Sequence, residues 1–119
     1  MKMRDLVVAV PVLQKVAAER LSLKTLYRVS KLLSVIDREL AFYNAERKKI
    51  ITLFGNNVQN DKWEIPLENK EIFQEKMLEL DNLDIDARFE PVKLPTSETL
   101  QLSYNEIKLL RGFIELDDV

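Results

Sequence analysis

A chain of 119 residues, 46% hydrophobic and 32% charged, is long enough for one modest core and too short for two independent domains. It has no cysteine and no histidine, which excludes disulfides and thiolate metal sites and removes the commonest general bases, nucleophiles and transition-metal ligands. The net charge of −2 conceals a division: residues 1–54 carry 11 Lys and Arg against 5 Asp and Glu (+6), residues 55–78 carry 3 against 5 (−2), and residues 79–119 carry 4 against 10 (−6).

The chain opens with an apolar patch, Leu6 to Leu13, that has no small-residue cleavage pattern and falls far short of the roughly 20 residues needed to span a bilayer. A cytoplasmic protein with no membrane partner is the expectation. A first helix is expected to start near Pro11, with Val12, Leu13, Val16 and Leu21 as its apolar stripe and a bend over Arg20 to Leu23. The clearest signal follows. Leu26, Val29, Leu33, Ile36, Leu40, Tyr43, Arg47, Ile50 and Phe54 alternate spacings of three and four, broken only by Arg47, which predicts a long helix with a coiled-coil seam. From Lys24 to Phe54 it runs about 46 Å at about 1.5 Å per residue, and Gly55 is expected to end it in the left-handed conformation.

Residues 56–66 read as a loop or short hairpin with Asn60-Asp61 at the bend, and Pro66 suits the first turn of a second helix over 66–81. That helix presents Phe73, Met77 and Leu80 on one side, flanked by Leu67 and Ile72, so the two fold back as an antiparallel hairpin. At about 24 Å it covers only the half of the long helix nearest the turn. The seam from Leu26 to Ile36 is left for the N-terminal helix or for a second molecule, the latter implying a homodimer.

From Leu83 the period changes to two: Leu83, Ile85, Ala87 and Phe89 alternate with charged residues, then Val92 and Leu94 continue after Pro91. This predicts a half-buried strand, with a second short strand at Leu100 and Leu102 and a last helix opened by a Ser103/Glu106 capping box and running to Gly112. Met3-Arg4-Asp5-Leu6 faintly echoes Leu102 to Ile107, as though both were strand-to-helix transitions at one small sheet. The fold class expected is α+β, mostly α, in one domain: an N-terminal helical segment (1–22), a helical hairpin with a long coiled-coil-like arm (24–81) and a small C-terminal β-sheet with a final short helix (83–119).

Catalysis has little to build on. None of the five serines lies in a nucleophile-elbow context or three residues before a lysine, and the two glycines, Gly55 and Gly112, are too far apart for a phosphate-cradling loop. The oxygen-rich run Asp81 to Asp86 lacks the glycine a calcium loop requires, having Phe89 at that place, and Glu68, Glu71 and Glu75 read as a charged helix exterior. The expectation is therefore a protein that is not an enzyme and uses no cofactor or metal. Lys15, Arg20, Lys24, Arg28 and Lys31 form a basic series suited to phosphates, but the acidic overall balance and the lack of interleaved aromatics argue against nucleic acid as the main partner.

Protein binding has better candidates. Trp63, the only tryptophan, falls in the hairpin between Val58 and Ile65, where it either anchors a partner or folds over the end of the long helix against Phe54 or Val58. Tyr27, Arg28 and Lys31 lie on the unpaired half of the long helix, and Phe42 falls off its main seam. Phe113, Ile114 and Leu116 are either core or a docking segment.

The order of segments, Lys24-Thr25-Leu26-Tyr27-Arg28-Val29-Ser30-Lys31-Leu32-Leu33, Arg38 to Arg47, Leu53-Phe54-Gly55, Trp63-Glu64-Ile65-Pro66, Phe89 to Leu94 and Leu102 to Glu106, resembles a group of small uncharacterised proteins of tailed phages and prophages of Gram-positive bacteria. The resemblance covers most of the chain and brings no catalytic residues with it. It implies a phage accessory protein of the host cytoplasm that binds and modulates a host or defence-system protein. The alternatives are a virion assembly factor, such as a tail or capsid chaperone, a minor structural subunit, or a weak nucleic-acid binder.

Overall fold

The structure, a computed structural model, describes residues 1–60, 62–85, 89–95 and 101–117, with the backbone alone at 95, 116 and 117. It is mostly helical, as expected, with two small two-stranded sheets. Helix α1 spans Met3–Ala18, and Met3, Leu6, Ala9, Leu13 and Val16 form its buried stripe, joined by Val12. The start near Pro11 is corrected: the helix begins eight residues earlier, and Pro11 sits inside it on the exposed side. There the missing N–H breaks one backbone bond on the solvent face while the buried stripe runs on uninterrupted. Asp5 supports the true start, its Oδ2 accepting a 3.1 Å hydrogen bond from the Lys2 N–H at the positive end of the helix dipole.

Helix α2, Leu23–Phe54, is capped by Ser22, whose Oγ accepts from the Thr25 N–H at 3.3 Å. Its 32 residues run about 48 Å, nearly the full length of a molecule measuring 56 × 29 × 25 Å. Helix α1 lies along its first half, so the seam there is covered within the chain. The seam itself is turned from the heptad expectation: Thr25, Val29, Leu32 and Ile36 are buried, whereas Leu26 is 36% exposed. Both α1 and the C-terminal sheet pack on this part of α2, so a stripe broader than a two-helix seam is covered, and Leu32 is drawn inward.

At the far end Gly55 donates its N–H to the Ile51 carbonyl at 2.8 Å. The left-handed expectation is wrong here, because Gly55 is extended, with φ −107° and ψ 167°. Strands β1 (Asn56–Gln59) and β2 (Lys62–Glu64) then form the expected hairpin, pairing Asn57 with Trp63 around a bulge between Asn57 and Gln59. Asn60 takes the left-handed conformation at the bend, with φ 48°, and Asp61 lies outside the described residues. Pro66 precedes a 3₁₀ turn, Leu67–Asn69, that leads into α3, Lys70–Asp81. The Asn69 side-chain amide donates to the Phe54 carbonyl at 2.9 Å and ties the two arms together. Leu80 is buried and Phe73 and Met77 half-buried, while Leu67 and Ile72 stay exposed.

The segment after α3 returns to the N-terminus. Met3 N–H donates to the Leu83 carbonyl and Ile85 N–H to the Met1 carbonyl, a short antiparallel bridge rather than the long strand expected from Leu83 to Phe89, whose residues 86–88 lie outside the described set. Strand β3, Val92–Pro95, buries Val92 and Leu94. Its partner was expected at Leu100 and Leu102, but Leu100 is outside the described residues and Leu102 belongs to no strand. The partner is β4, Ile114–Asp117, parallel and in register from Val92↔Ile114 to Pro95↔Asp117. Parallel pairing requires a crossover, and α4, Tyr104–Leu109, stands in it. The predicted capping box opens α4: Ser103 N–H donates to Glu106 Oε1 at 2.9 Å, and Glu106 N–H to Ser103 Oγ at 3.2 Å. Gly112, with φ 87°, makes the turn into β4. Phe113 and Ile114 are core residues, packed with Leu6, Leu13, Val29, Ile36 and Leu94.

One ion pair holds α4 to α1. Lys15 Nζ lies 3.0 and 3.1 Å from the two Glu106 carboxylate oxygens. The Ser103 N–H and then Lys15 hold the Glu106 carboxyl below its ordinary range. Its folded pKa is lower than its unfolded one, so its stabilising effect is present above the ordinary value of about 4.3 and is lost as pH falls through the lowered one. Protection of the α4 amides, taken relative to the intrinsic exchange rate at each pH, is therefore expected to fall on acidification by more than in Glu106→Gln, where the α4 profile loses this component. An unchanged profile in the variant removes Glu106 as the source.

Candidate functional site

The hairpin end is built by three local devices. Gly55 lets the chain leave α2 so closely that a Cβ there would lie 2.7 Å from the Ile51 carbonyl oxygen, and the bulge and Asn60 set the twist and turn beyond it. The result is a hairpin whose described residues are all exposed. Trp63 is 39% exposed and Val58 54%, and the adjoining Leu53 and Leu67 are more exposed still, at 74% and 83%. Four apolar side chains thus stand open within fifteen residues of chain at one end of the molecule. Ile65, also expected to meet a partner, is half-buried with its Cδ1 turned to Gly55, where it props the hairpin.

The other residues singled out by sequence lie elsewhere. Phe42 borders a shallow depression of about 230 Å³ between α2 and α3, with Glu46, Ile50, Lys76 and Leu80 around it. The Tyr43 hydroxyl, next in the chain, is pushed above its usual pKa by burial and then by the nearby Asp81 carboxylate. Tyr27, Arg28 and Lys31 lie near the start of α2, with the Lys31 ammonium 4.8 Å from the centre of the Tyr27 ring. Arg28 and Lys31 also wall a groove of about 470 Å³ between α2 and the segment leading into β3, with Lys93 on the opposite wall and Leu32, Val35 and Phe89 among its apolar lining. Lys93 was missed in sequence. Its signal was a lysine in the exposed phase of the Val92-Lys93-Leu94 alternation, within a stretch dominated by acids.

Arg28, Lys31 and Lys93 make no ion pair with a described acid, and Glu90 is the one carboxylate among the groove's described lining residues. No group of three or more His, Cys, Asp or Glu that would hold a metal ion occurs among the described residues. Among them no helix is long and apolar enough to cross a membrane. The surfaces on offer are therefore an apolar projecting hairpin and a cationic groove, arrangements suited to recognition of another molecule. A scan against protein-family models and searches of curated proteins and of solved structures find no match to this chain.

Proposed function

We propose that this protein is a non-enzymatic binding protein that docks its hairpin end on another protein and alters that protein's activity by occupying a surface. The observation that carries the reading is the exposure of Trp63 and Val58 on a hairpin projecting from the end of a long, internally supported helix. A tryptophan ring offers a large contact area with few rotatable bonds, and burying it with neighbouring apolar groups is the commonest source of strong interface energy. The likeness to small phage and prophage proteins supports a host or defence-system protein as the partner, met in the cytoplasm of an infected bacterium. The homodimer expected through an uncovered seam of α2 lacks that seam, because α1 packs along it; light scattering at high concentration is expected to show a monomer.

Affinity capture of the tagged protein during infection, at moderate salt, tests the main reading. One enriched host or defence protein, recovered by the parent and lost with Trp63→Ala, is the expected result. Trp63→Ala should weaken that complex about thirtyfold or more, the effect of deleting an interface anchor of about 2 kcal/mol. Its stability should stay within about 1 kcal/mol of the parent, because the ring is outside the core. Recovery of tail or capsid proteins alone moves the protein to virion assembly, and capture that Trp63→Ala leaves intact rules out the hairpin as the contact.

A further inference from the structure

We infer that the groove between α2 and β3 takes up an extended acidic segment of a partner protein as an added strand on the open edge of β3. The first argument is the backbone. Val92 donates its N–H to the Phe113 carbonyl at 2.8 Å, toward β4. Successive residues of a strand direct their N–H and C=O to opposite edges, so those of Lys93 face away from β4. Among the described residues the sheet has two strands, in the order β3-β4, and no described backbone group bonds to Lys93 on that side. An unpaired strand edge is a template for another chain.

The groove lies along that edge. Its described walls come from the β3 segment up to Lys93 and from α2, and β4 contributes none of them. A peptide inserted there runs between a helix and a strand, its main chain bonded to Lys93 and its alternate side chains set over Leu32, Val35 and Phe89. Charge gives the second argument. Arg28 and Lys31 on one wall and Lys93 on the other face a single described carboxylate, Glu90, in a protein whose net charge is −2. This local excess of positive charge favours aspartate and glutamate in the inserted segment and disfavours lysine and arginine. A second copy is a poorer fit, because the chain's own acidic strand, β4, is already paired inside the fold.

This surface lies about 30 Å along α2 from Gly55, counted from Val35, so it stands or falls separately from the hairpin end. The test is fluorescence anisotropy with a labelled, end-capped peptide that alternates glutamate with valine, measured at low salt against the intact protein. Binding of this probe is expected, together with about tenfold or greater weakening in the double variant Arg28→Glu, Lys31→Glu and unchanged binding in Lys48→Glu, a charge reversal on the distal half of α2. Methylating alternate backbone nitrogens of the peptide should also weaken it about tenfold, through loss of the bonds to the strand edge. Circular dichroism confirms that each exposed-site variant folds. Equal binding of a lysine-valine peptide, or of the N-methylated one, overturns the proposal. So does displacement of the probe by a single-stranded oligonucleotide at lower concentration than by unlabelled peptide, which would make the groove a nucleic-acid site. A dimer seen by light scattering and dissolved by the double variant, with no peptide bound, would overturn it in favour of a second copy.

Discussion

Phe113→Ala is expected to remove about 3–5 kcal/mol of stability, a large share of the roughly 5–15 kcal/mol that holds an ordinary domain together. Phe113 is 1% exposed, and its ring stacks on Phe89 with centroids 5.4 Å apart and planes 11° apart. Its backbone is equally engaged, the N–H donating to the Leu110 carbonyl and the carbonyl accepting from Val92. Those bonds pin the turn after α4 and the start of β3, so the walls around a truncated side chain have little freedom to close on the space. The cost then includes the cavity as well as the lost transfer energy, and the stacked pair adds about 0.5–1.5 kcal/mol.

The damage should reach the groove, because Phe89 lines it and would lose the ring it rests on. Phe89→Ala, truncating the half-buried partner, should cost less while also removing the groove floor. Urea denaturation of the three proteins checks the order. A loss below about 1 kcal/mol for Phe113→Ala would mean that the C-terminal segment contributes little to the core, contrary to its burial.

Phe113 also shows where sequence reading succeeds and where it stops. Periodicity of three and four over a long stretch gave α2 and its antiparallel return through α3, because each turn of helix repeats the same local constraint. Hairpin and capping box were legible for the same reason: Asn60, Ser103 and Glu106 act on backbone within three residues of themselves. The pairing of β3 with β4 was not legible. Nothing local to Val92-Lys93-Leu94 distinguishes Leu102 from Ile114 as a partner; the choice depends on α4 filling the crossover and on Phe113 reaching the core. Pro11 misled by the opposite error, a strong local signal overridden by a buried stripe that begins at Met3. Among the binding residues, exposure of Trp63 could only be guessed, since a hairpin tip either folds back or projects. The meeting of Arg28 and Lys31 with Lys93 joins positions more than sixty residues apart, beyond any spacing rule.

Gly55→Ala is the second change expected to act strongly, and it acts without touching the apolar tip. Backbone conformation is not the obstacle, since φ −107° is open to any residue. The obstacle is space: a Cβ would lie 2.7 Å from the Ile51 carbonyl oxygen, 3.0 Å from Ile65 Cδ1 and 3.3 Å from the Glu64 carbonyl oxygen. Ile65 can turn aside. The Ile51 oxygen cannot, because it accepts the Gly55 N–H at 2.8 Å, and moving it opens the last turn of α2. A cost of about 1–3 kcal/mol is expected for this overpacking. It differs in kind from Gly112→Ala, where the left-handed φ of 87° supplies a penalty of about 1–2 kcal/mol and the nearest contact is the flexible end of Met1. Strain at Gly55 should be relieved by displacing β1 and β2, so amide exchange should quicken in the hairpin and at the end of α2 while α1 and β3 keep their protection. If the hairpin carries the partner contact, Gly55→Ala weakens capture although Trp63 and Val58 are unchanged. A variant that matches the parent in stability, exchange and capture would show that the chain leaves α2 with more room than this geometry allows.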